Sequence, residues 1–327
     1  MKGKKILVIG GAGFIGSHVV DQLLHEDVGE VIVFDNFARG TLDNIEIALK
    51  DDKCRVFEAG GDILQQDILD AAMKESDCVI SLAALWLLQC YEYPVAAFET
   101  NVRGMFNVLE ACRHNDIERL VWSSSASVYG DAVEIPMTED HPFNNRTFYG
   151  ATKIAGEAMA RAYNERYNLE YVGLRYMNVY GPRQDYKGAY IAVIMKILDR
   201  LDQGLPPIVY GDGTQTYDFI YVEDAAKANI AALKADSTDT FYNIGKGEGT
   251  NIKEITETIL EIKGSDLEIE YKPEGQTFVT NRVGSTDKAE KELGFIAETD
   301  LRTGLERLVK WRNEHKERFK GVWKAFE

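Results

Sequence analysis

Cysteine and histidine are scarce in this chain of 327 residues, and neither type is grouped as it would be in a structural site. The four cysteines, Cys54, Cys78, Cys90 and Cys112, have no metal-ligand spacing and suggest no disulfide framework. The five histidines form no cluster of ligands along the sequence. We therefore expect no metal.

Positive charge is outnumbered by negative charge, with 37 Lys and Arg against 53 Asp and Glu, and long apolar runs are scarce. The net charge of −16 argues against nucleic acid or an anionic membrane as a partner. The longest apolar run, residues 78–88, is shorter than the ~18 residues of a membrane span, and the run after the basic start is too short for a signal peptide. We expect a cytoplasmic protein that contacts no membrane.

Short β-branched apolar runs alternate with stretches of helical periodicity, a pattern typical of βαβ units around a parallel sheet. The runs lie at 5–10, 30–35, 54–60, 78–84, 119–125 and 170–176. We predict an α/β fold, a doubly wound parallel sheet over residues 1–178 with roughly 217–247 threaded back into it. Residues 179–327 form a smaller, partly interleaved α/β region. Its tail, with Trp311, Phe319, Val322 and Phe326 at helical spacing, is interpreted as a packed last helix.

The segment GGAGFIG at 10–16 follows the first predicted strand and opens a helix. Gly10, Gly13 and Gly16 would allow a tight turn whose backbone N–H groups meet a pyrophosphate. Asp35 ends the second strand, where a carboxylate accepts the ribose hydroxyls of NAD and repels a 2′-phosphate. Arg39 nearby could admit NADP, but Asp35 favours NAD.

A tyrosine and a lysine stand four residues apart in YGATK at 149–153. On a helix this spacing places Tyr149 and Lys153 on one face, where the ammonium favours the phenolate. A shift of the phenol pKa from about 10 to about 7 requires ~4 kcal/mol, which lysine and a cationic cofactor could share. Taken alone, the pair is better interpreted as an incidental feature of a surface helix.

The spacing G-x-x-G-x-x-G, the helix that it opens and YGATK together resemble the extended short-chain dehydrogenase/reductase family. The likeness is to its NAD-dependent nucleotide-sugar epimerases and dehydratases, such as UDP-galactose 4-epimerase. It extends over nearly the whole chain, since similar segments follow in order at 60–62, 82–84, 101–111, 122–130, 174–184 and 211–224.

The resemblance implies NAD as the cofactor and a set of residues that contact it. Asp62 and Ile63 would flank the adenine, and Tyr176 would lie near the nicotinamide; without the resemblance, Asp62 would be a loop carboxylate and Asn101 a helix N-cap. The implied cofactor contacts are Gly10, Gly13, Phe14, Ile15, Gly16, Asp35, Asn36, Asp62, Ile63, Leu82, Ala83, Ala84, Asn101, Ser123, Tyr149, Lys153 and Tyr176.

The resemblance also implies the catalytic residues. Ser125 would hydrogen-bond the reacting sugar hydroxyl, and Tyr149 would remove its proton. Lys153 would hold the nicotinamide ribose and keep Tyr149 acidic. The expected substrate contacts are Ser125, Asn178, Arg183, Tyr217 and Arg282.

The residues after Ser125 narrow the reaction. Dehydratases of the family carry an Asp-Glu pair there and decarboxylases a glutamate, whereas this chain has Ala126 and Ser127. We predict a 4-epimerase acting on a UDP-hexose or a UDP-N-acetylhexosamine. A 4-ketoreductase, dehydratase or decarboxylase of the same family stays open, as does a non-catalytic NAD-binding sensor.

Three departures from the family pattern concern the substrate. Tyr217 replaces an arginine that binds the diphosphate in many relatives, the later arginine-glycine-aspartate stretch has no clean counterpart, and Ser81 replaces a frequent histidine. We expect Arg282 to hold the diphosphate, with Arg183 as the alternative.

A homodimer is implied by the resemblance as well. It would pair the helices 95–114 and 149–166 with their symmetry mates, through the small and apolar residues Ala97, Met105, Ala155, Met159 and Ala162.

Overall fold

The computed structural model describes residues 1–184, 192–273 and 279–316. Parts of the predicted region 179–327, and Phe319, Val322 and Phe326 of the predicted last helix, lie outside these ranges. The described strands are β1 (Lys5–Ile9), β2 (Glu30–Phe34), β3 (Cys54–Val56), β4 (Cys78–Ser81), β5 (Arg119–Ser125), β6 (Tyr171–Tyr176), β7 (Asn178–Tyr180), β8 (Ile208–Tyr210), β9 (Thr216–Tyr221), β10 (Thr240–Ile244), β11 (Gly249–Asn251), β12 (Glu270–Lys272) and β13 (Asn281–Arg282).

The α-helices of the same ranges flank and connect these strands. They are α1 (Phe14–Leu23), α2 (Leu42–Ile45), α3 (Gln66–Met73), α4 (Leu87–Glu92), α5 (Pro94–Ala97), α6 (Gly104–His114), α7 (Phe148–Tyr167), α8 (Val193–Asp202), α9 (Val222–Lys234), α10 (Ile252–Lys263), α11 (Asp287–Leu293) and α12 (Leu301–Glu314). A π-helical segment, Phe98–Arg103, joins α5 to α6.

The main sheet of the described residues has seven parallel strands in the order β10-β6-β5-β4-β1-β2-β3. Its strands are buried on both faces because they are rich in Val, Ile and Leu and are covered by helices on each side. The order reverses at β1, which pairs with both β2 and β4. A sheet of this kind binds ligands at the carboxyl ends of its strands, near the point of reversal. The predicted α/β fold with a doubly wound sheet is confirmed.

A late part of the chain completes this sheet. Strand β10 pairs in parallel with β6, Ile244 lying opposite Tyr176. Helix α9 packs against α1, and the side chain of Gln22 donates to the carbonyl of Glu223 at 2.8 Å.

The remaining elements form a smaller layer at the carboxyl edge of the main sheet. Strands β7, β9, β11 and β13 make a four-stranded sheet, and β8 pairs with β12. Helices α8, α10 and α12 share a separate apolar cluster around Leu198, Ile259 and Leu308. None of the helices described is long and apolar enough to cross a membrane.

Candidate active site

The carboxyl ends of the central strands meet at one edge of the main sheet. In register, Ile9 pairs with Phe34 and Ser81, and Ser125 pairs with Tyr176. A cavity of about 1490 Å³ lies at this edge. Its wall includes every predicted site residue except Asn101 and Lys153, so side chains from five strand ends share one space.

The glycine segment forms a tight turn between β1 and α1. Gly10 adopts φ +78°, which disfavours any residue with a side chain. A Cβ on Gly16 would collide with the carbonyl oxygen of Gly10, so helix and turn approach each other closely only with glycine there. Gly13 is the N-cap of α1 and provides no side-chain cap. The first-turn N–H groups of α1 are therefore suited to a pyrophosphate.

The carboxylate of Asp35 lies beside this turn at the end of β2. It accepts hydrogen bonds from the backbone N–H groups of Ala12 at 2.9 Å and Phe37 at 2.8 Å. Burial raises the pKa of this carboxyl group, while those bonds oppose the rise. A carboxylate at this position fits the ribose hydroxyls of NAD and disfavours the 2′-phosphate of NADP.

Arg39, the residue that could have admitted NADP, contacts α4 and the loop that precedes it. Its guanidinium donates to Gln89 at 3.0 Å and lies 5.3 Å from the ring centroid of Trp86. This arrangement favours NAD over NADP.

Asn101 lies behind the cavity wall, where it is 5% exposed, rather than on it. Its amide accepts from the N–H and donates to the carbonyl of Leu85, both at 2.8 Å. It also bonds the hydroxyl of Thr152 at 3.2 Å. Its polar atoms shape the loop that carries Leu85 and Trp86, and Asn101 lies within the π-helical segment rather than at a helix N-cap.

Helix α7 carries Tyr149 and Lys153. Thr147 caps it by accepting from the N–H of Gly150 at 3.0 Å, which places Tyr149 in the first turn, on the cavity wall beside Ser125. The ammonium of Lys153 is buried, donates to the carbonyl of Ser123 at 2.6 Å and lies 5.7 Å from the centroid of the Tyr149 ring. Ser125, Tyr149 and Lys153 are thus brought together at the end of β5.

Burial disfavours the charged forms of both Tyr149 and Lys153. Burial raises the pKa of the Tyr149 phenol to about 12, against the lowering effects of the Ser125 hydroxyl and the charge of Arg282. Burial also lowers the pKa of Lys153 to about 8. The ammonium of Lys153 bonds a backbone carbonyl, and the cation that lowers the pKa of Tyr149 is Arg282.

A buried ion pair beneath the site was missed from the sequence. Arg175 on β6 donates to Glu157 on α7 at 2.9 and 2.7 Å, and Glu157 accepts from Ser124 at 2.6 Å. Arg175 also donates to the hydroxyl of Tyr129 at 2.7 Å. The available signal was an arginine within the otherwise apolar strand EYVGLRY.

The expected substrate contacts occupy different parts of the cavity wall. Arg183 forms an ion pair with Asp21 on α1 at 2.7 Å. The hydroxyl of Tyr217 donates to the carbonyl of Val279 at 2.7 Å. Arg282 lies against the hydroxyl of Ser127 at 3.4 Å, and Asn178 lines the wall at the start of β7. We call the wall around Ser125, Ser127, Tyr149 and Arg282 the reacting end.

Two cations on α8 were also missed. Lys196 and Arg200 both line the cavity. Arg200 pairs with Glu270 at 3.3 Å, whereas Lys196 forms no ion pair within the described part of the chain. A lysine among the apolar residues of a helix gives little sign in the sequence that it faces a ligand cavity. Across the described ranges, no group of three or more His, Cys, Asp or Glu side chains could hold a metal ion.

The fold and this cavity define an NAD-binding enzyme of the short-chain dehydrogenase/reductase type. The chain belongs to the NAD dependent epimerase/dehydratase family, whose model matches residues 6–245. This confirms the family and the cofactor predicted from the sequence.

Several known proteins are similar over almost their whole length. A putative UDP-glucose 4-epimerase of Methanocaldococcus jannaschii is 40% identical over 94% of this chain and 97% of its own. The UDP-N-acetylglucosamine 4-epimerase of Methanobrevibacter ruminantium, solved with UDP-N-acetylmuramic acid, has a TM-score of 0.90 and 32% identity over 96% of this chain and 100% of its own.

The UDP-glucose 4-epimerase of Thermus thermophilus, solved with NAD, has a TM-score of 0.84 and 34% identity, and the match covers 94% of this chain and 99% of that one. Similar proteins also include enzymes named as decarboxylases and dehydratases of nucleotide sugars.

Proposed function

We propose that the protein is an NAD-dependent nucleotide-sugar 4-epimerase. The observation that carries the proposal is the convergence of Ser125, Tyr149 and Lys153 at a cavity end where none of the described residues is acidic. The similar proteins named as UDP-glucose and UDP-N-acetylglucosamine 4-epimerases support a UDP-sugar as substrate.

The side chains of the reacting end would act on the C4 hydroxyl of the sugar. Tyr149 takes its proton and later returns it, and Ser125 holds the same oxygen by a hydrogen bond. When bound, NAD would supply the redox chemistry, in which a hydride leaves C4 and, after the ketone has rotated, returns to its opposite face, so that C4 is inverted. Lys153 would hold the nicotinamide ribose, and the N–H groups after Gly10 would hold the pyrophosphate.

The side chains described at the reacting end include no acid, which favours epimerisation over dehydration. Four carboxylates lie on the described cavity wall. Asp35 follows β2, Asp43 lies on α2, Asp62 lies in the segment between β3 and α3, and Asp199 lies on α8. Asp199 is bonded to Arg312 at 2.6 Å. Ala126 and Ser127 follow Ser125, so no described carboxylate at the reacting end is available to remove the C5 proton.

Turnover in D₂O tests this proposal. We expect the purified protein to interconvert C4 epimers of a UDP-sugar and to leave C5 free of deuterium, as read by NMR. Deuterium at C5 or a 4-keto-6-deoxy product would move the protein to the dehydratases. Net consumption of added NADH would instead indicate a 4-ketoreductase.

The substrate-binding region is proposed to be residues 179–327 without the returning segment of roughly 217–247. Its cation Lys196 lines the cavity along α8, forms no ion pair within the described residues and is suited to the diphosphate. Arg200 lies beside it on the wall but pairs with Glu270, and Arg183 pairs with Asp21. A diphosphate bound to a chain of net charge −16 requires such local cations.

We further propose a homodimer that pairs the helices 95–114 and 149–166 with their symmetry mates, with the exposed face of residues 95–106 in the interface. Ala97 and Met105, expected at this interface, are 0% and 3% exposed and pack inside the subunit. The large apolar side chains exposed on the segment are Val95, Phe98 and Phe106. A cytoplasmic location agrees with four cysteines that are all free and buried.

A further inference from the structure

Arg282 differs from the other arginines that the described ranges bury. Arg119, Arg175 and Arg312 each have a carboxylate partner, at 3.3, 2.7 and 2.6 Å respectively. Arg282 is 9% exposed and has none; its Nη1 lies 3.4 Å from the hydroxyl of Ser127, and its Nε has no hydrogen-bond partner among the described residues.

Asp131 is the acid whose negative charge favours the charged form of Arg282, but it is hydrogen-bonded to backbone groups. Asp131 accepts hydrogen bonds from the backbone N–H groups of Thr280 at 2.7 Å and Asn281 at 3.3 Å, and forms no ion pair with Arg282 within the described residues. A buried charge without a partner is strongly unfavourable. Because Arg282 lines the cavity, a bound anion can supply the missing partner.

The position of Arg282 indicates which anion this is. Its guanidinium touches Ser127, whose N–H donates to the hydroxyl of Ser125 at 3.1 Å, and its charge acts on Tyr149. If Ser125 and Tyr149 meet the C4 hydroxyl, the neighbouring substituents are the C3 hydroxyl and C6, which is separated from C4 by one ring carbon. Of these two, C6 is the one that can carry a carboxylate. The diphosphate leaves the ring at C1, on the opposite side.

We propose that Arg282 binds a carboxylate at C6, so that the preferred substrate is a nucleotide-linked hexuronic acid. This rests on the proposed function and replaces the expectation that Arg282 holds the diphosphate. The planar guanidinium can meet a carboxylate with two parallel hydrogen bonds, which a neutral hydroxymethyl group cannot match. Arg282 is thus a specificity-determining residue.

Binding measurements in a Tyr149→Phe background test the inference without turnover. UDP-glucuronate, UDP-glucose and UDP would be titrated by calorimetry into the NAD-loaded protein. We expect UDP-glucuronate to bind at least about tenfold more tightly than UDP-glucose. Adding Arg282→Met should weaken UDP-glucuronate by roughly 10- to 150-fold and leave UDP-glucose and UDP within about threefold.

The control is Arg302→Met in the same background, since Arg302 is an exposed arginine that pairs with Glu261 on the surface. It should change none of the three affinities. Thermal melting verifies folding. Arg282→Met removes a buried charge that has no carboxylate partner among the described residues, so it should melt no lower than its parent. Arg282→Lys, which keeps the charge without the planar fork, should lose most of the preference.

Two results would overturn the inference. Equal weakening of all three ligands by Arg282→Met would place Arg282 on the diphosphate. Unchanged affinities would remove it from ligand binding altogether. Turnover of UDP-sugars by the parent enzyme is measured in a separate experiment. Absence of epimerisation would contradict the proposed function, and the affinity ratios would still decide the role of Arg282.

Discussion

Tyr149 and Lys153 lie in surroundings that disfavour the charged form of each side chain. The phenol pKa stands at about 12 and the ammonium pKa at about 8. A phenol that acts as a base near neutral pH needs a lowered pKa, whereas burial raises the pKa of Tyr149. The positive charge of oxidised nicotinamide can supply that stabilisation, so the base becomes competent when cofactor is bound.

Replacement of Tyr149 by Phe is expected to abolish turnover while NAD stays bound, because the ring is retained and only the base is lost. General-base removal typically lowers rates by about 10²- to 10⁴-fold. Tyr163→Phe is the matched control on the same helix, since its hydroxyl bonds Glu110 rather than facing the cavity. Activity of Tyr149→Phe within a few-fold of the parent would remove Tyr149 from the mechanism.

Lys153 gives a prediction about pH. Its pKa falls from 10.5 to about 8 on folding, so between these values the unfolded chain binds more protons and stability rises with pH. Below pH 8 the buried ammonium lowers the free energy of unfolding by about 3 kcal/mol. Lys153→Met should therefore flatten the rise in unfolding free energy from neutral pH to about 10.

Urea unfolding at a series of pH values measures this difference. The exposed Lys310 offers a control, because Lys310→Met should leave the pH dependence as in the parent. A slope unchanged by Lys153→Met would mean that Lys153 titrates alike in the folded and unfolded chain.

At this scale the sequence predicted the residues whose type is dictated by local chemistry. Gly10 and Gly16 are required by a close backbone approach, and Tyr149 and Lys153 by their spacing on one helix. It could not predict the partners of Arg282, Arg183 or Asn101, because these depend on segments far apart in the chain. Asn101 bonds a loop 16 residues before it, and Arg183 pairs with a helix more than a hundred residues earlier.

Helix α7 is the element that positions the chemistry. Capped by Thr147, it presents Tyr149, Lys153 and Glu157 at intervals of four, so the three side chains share a face. Glu157 joins the helix to β6 through Arg175 and to β5 through Ser124. The ion pair therefore sets the helix against the strand that carries Ser125.

Breaking this ion pair should destabilise the fold. Glu157→Gln leaves the guanidinium of Arg175 buried without its carboxylate, which we expect to lower the free energy of unfolding by about 3–5 kcal/mol. Glu157→Gln combined with Arg175→Met should be less unstable than Glu157→Gln alone. Denaturant unfolding measures both, with the exposed Glu165→Gln on the same helix as control; a loss below about 1 kcal/mol would deny the pair a structural role.

Elements with a continuous apolar run could be predicted, and short elements could not. The run 119–125 coincides with β5 because it is buried along its length. The run 54–60 is a strand only to Val56, since the chain turns away from the sheet at the cavity edge. Strands β7, β11 and β13 have two or three residues each and depend on pairing with β9, which local sequence does not encode.

For the whole molecule, the proposed dimer predicts a mass of about twice 36.8 kDa in solution. Phe98 and Phe106 are 50% and 45% exposed on the proposed face. Changing both to Glu places two charges in each half of the interface and should give monomers.

Light scattering at micromolar protein reads this outcome. Ile296→Glu is the control. Ile296 is 58% exposed and follows α11, outside the helices of the proposed interface, so its replacement should not affect assembly. A parent protein of 36.8 kDa would contradict the dimer.

Strand β10 has a consequence for how such enzymes can be recombined. It reaches the main sheet only after the chain has left it and built part of the smaller layer, and α9 returns with it to pack on α1. A chimera joined at residue 178 would give this sheet a foreign edge strand and α1 a foreign neighbour. Fragments that end at residue 178 would expose the edge of β6, and an exposed strand edge promotes aggregation. New specificities in this scaffold are therefore reached by changing single positions on the cavity wall rather than by exchanging blocks of sequence.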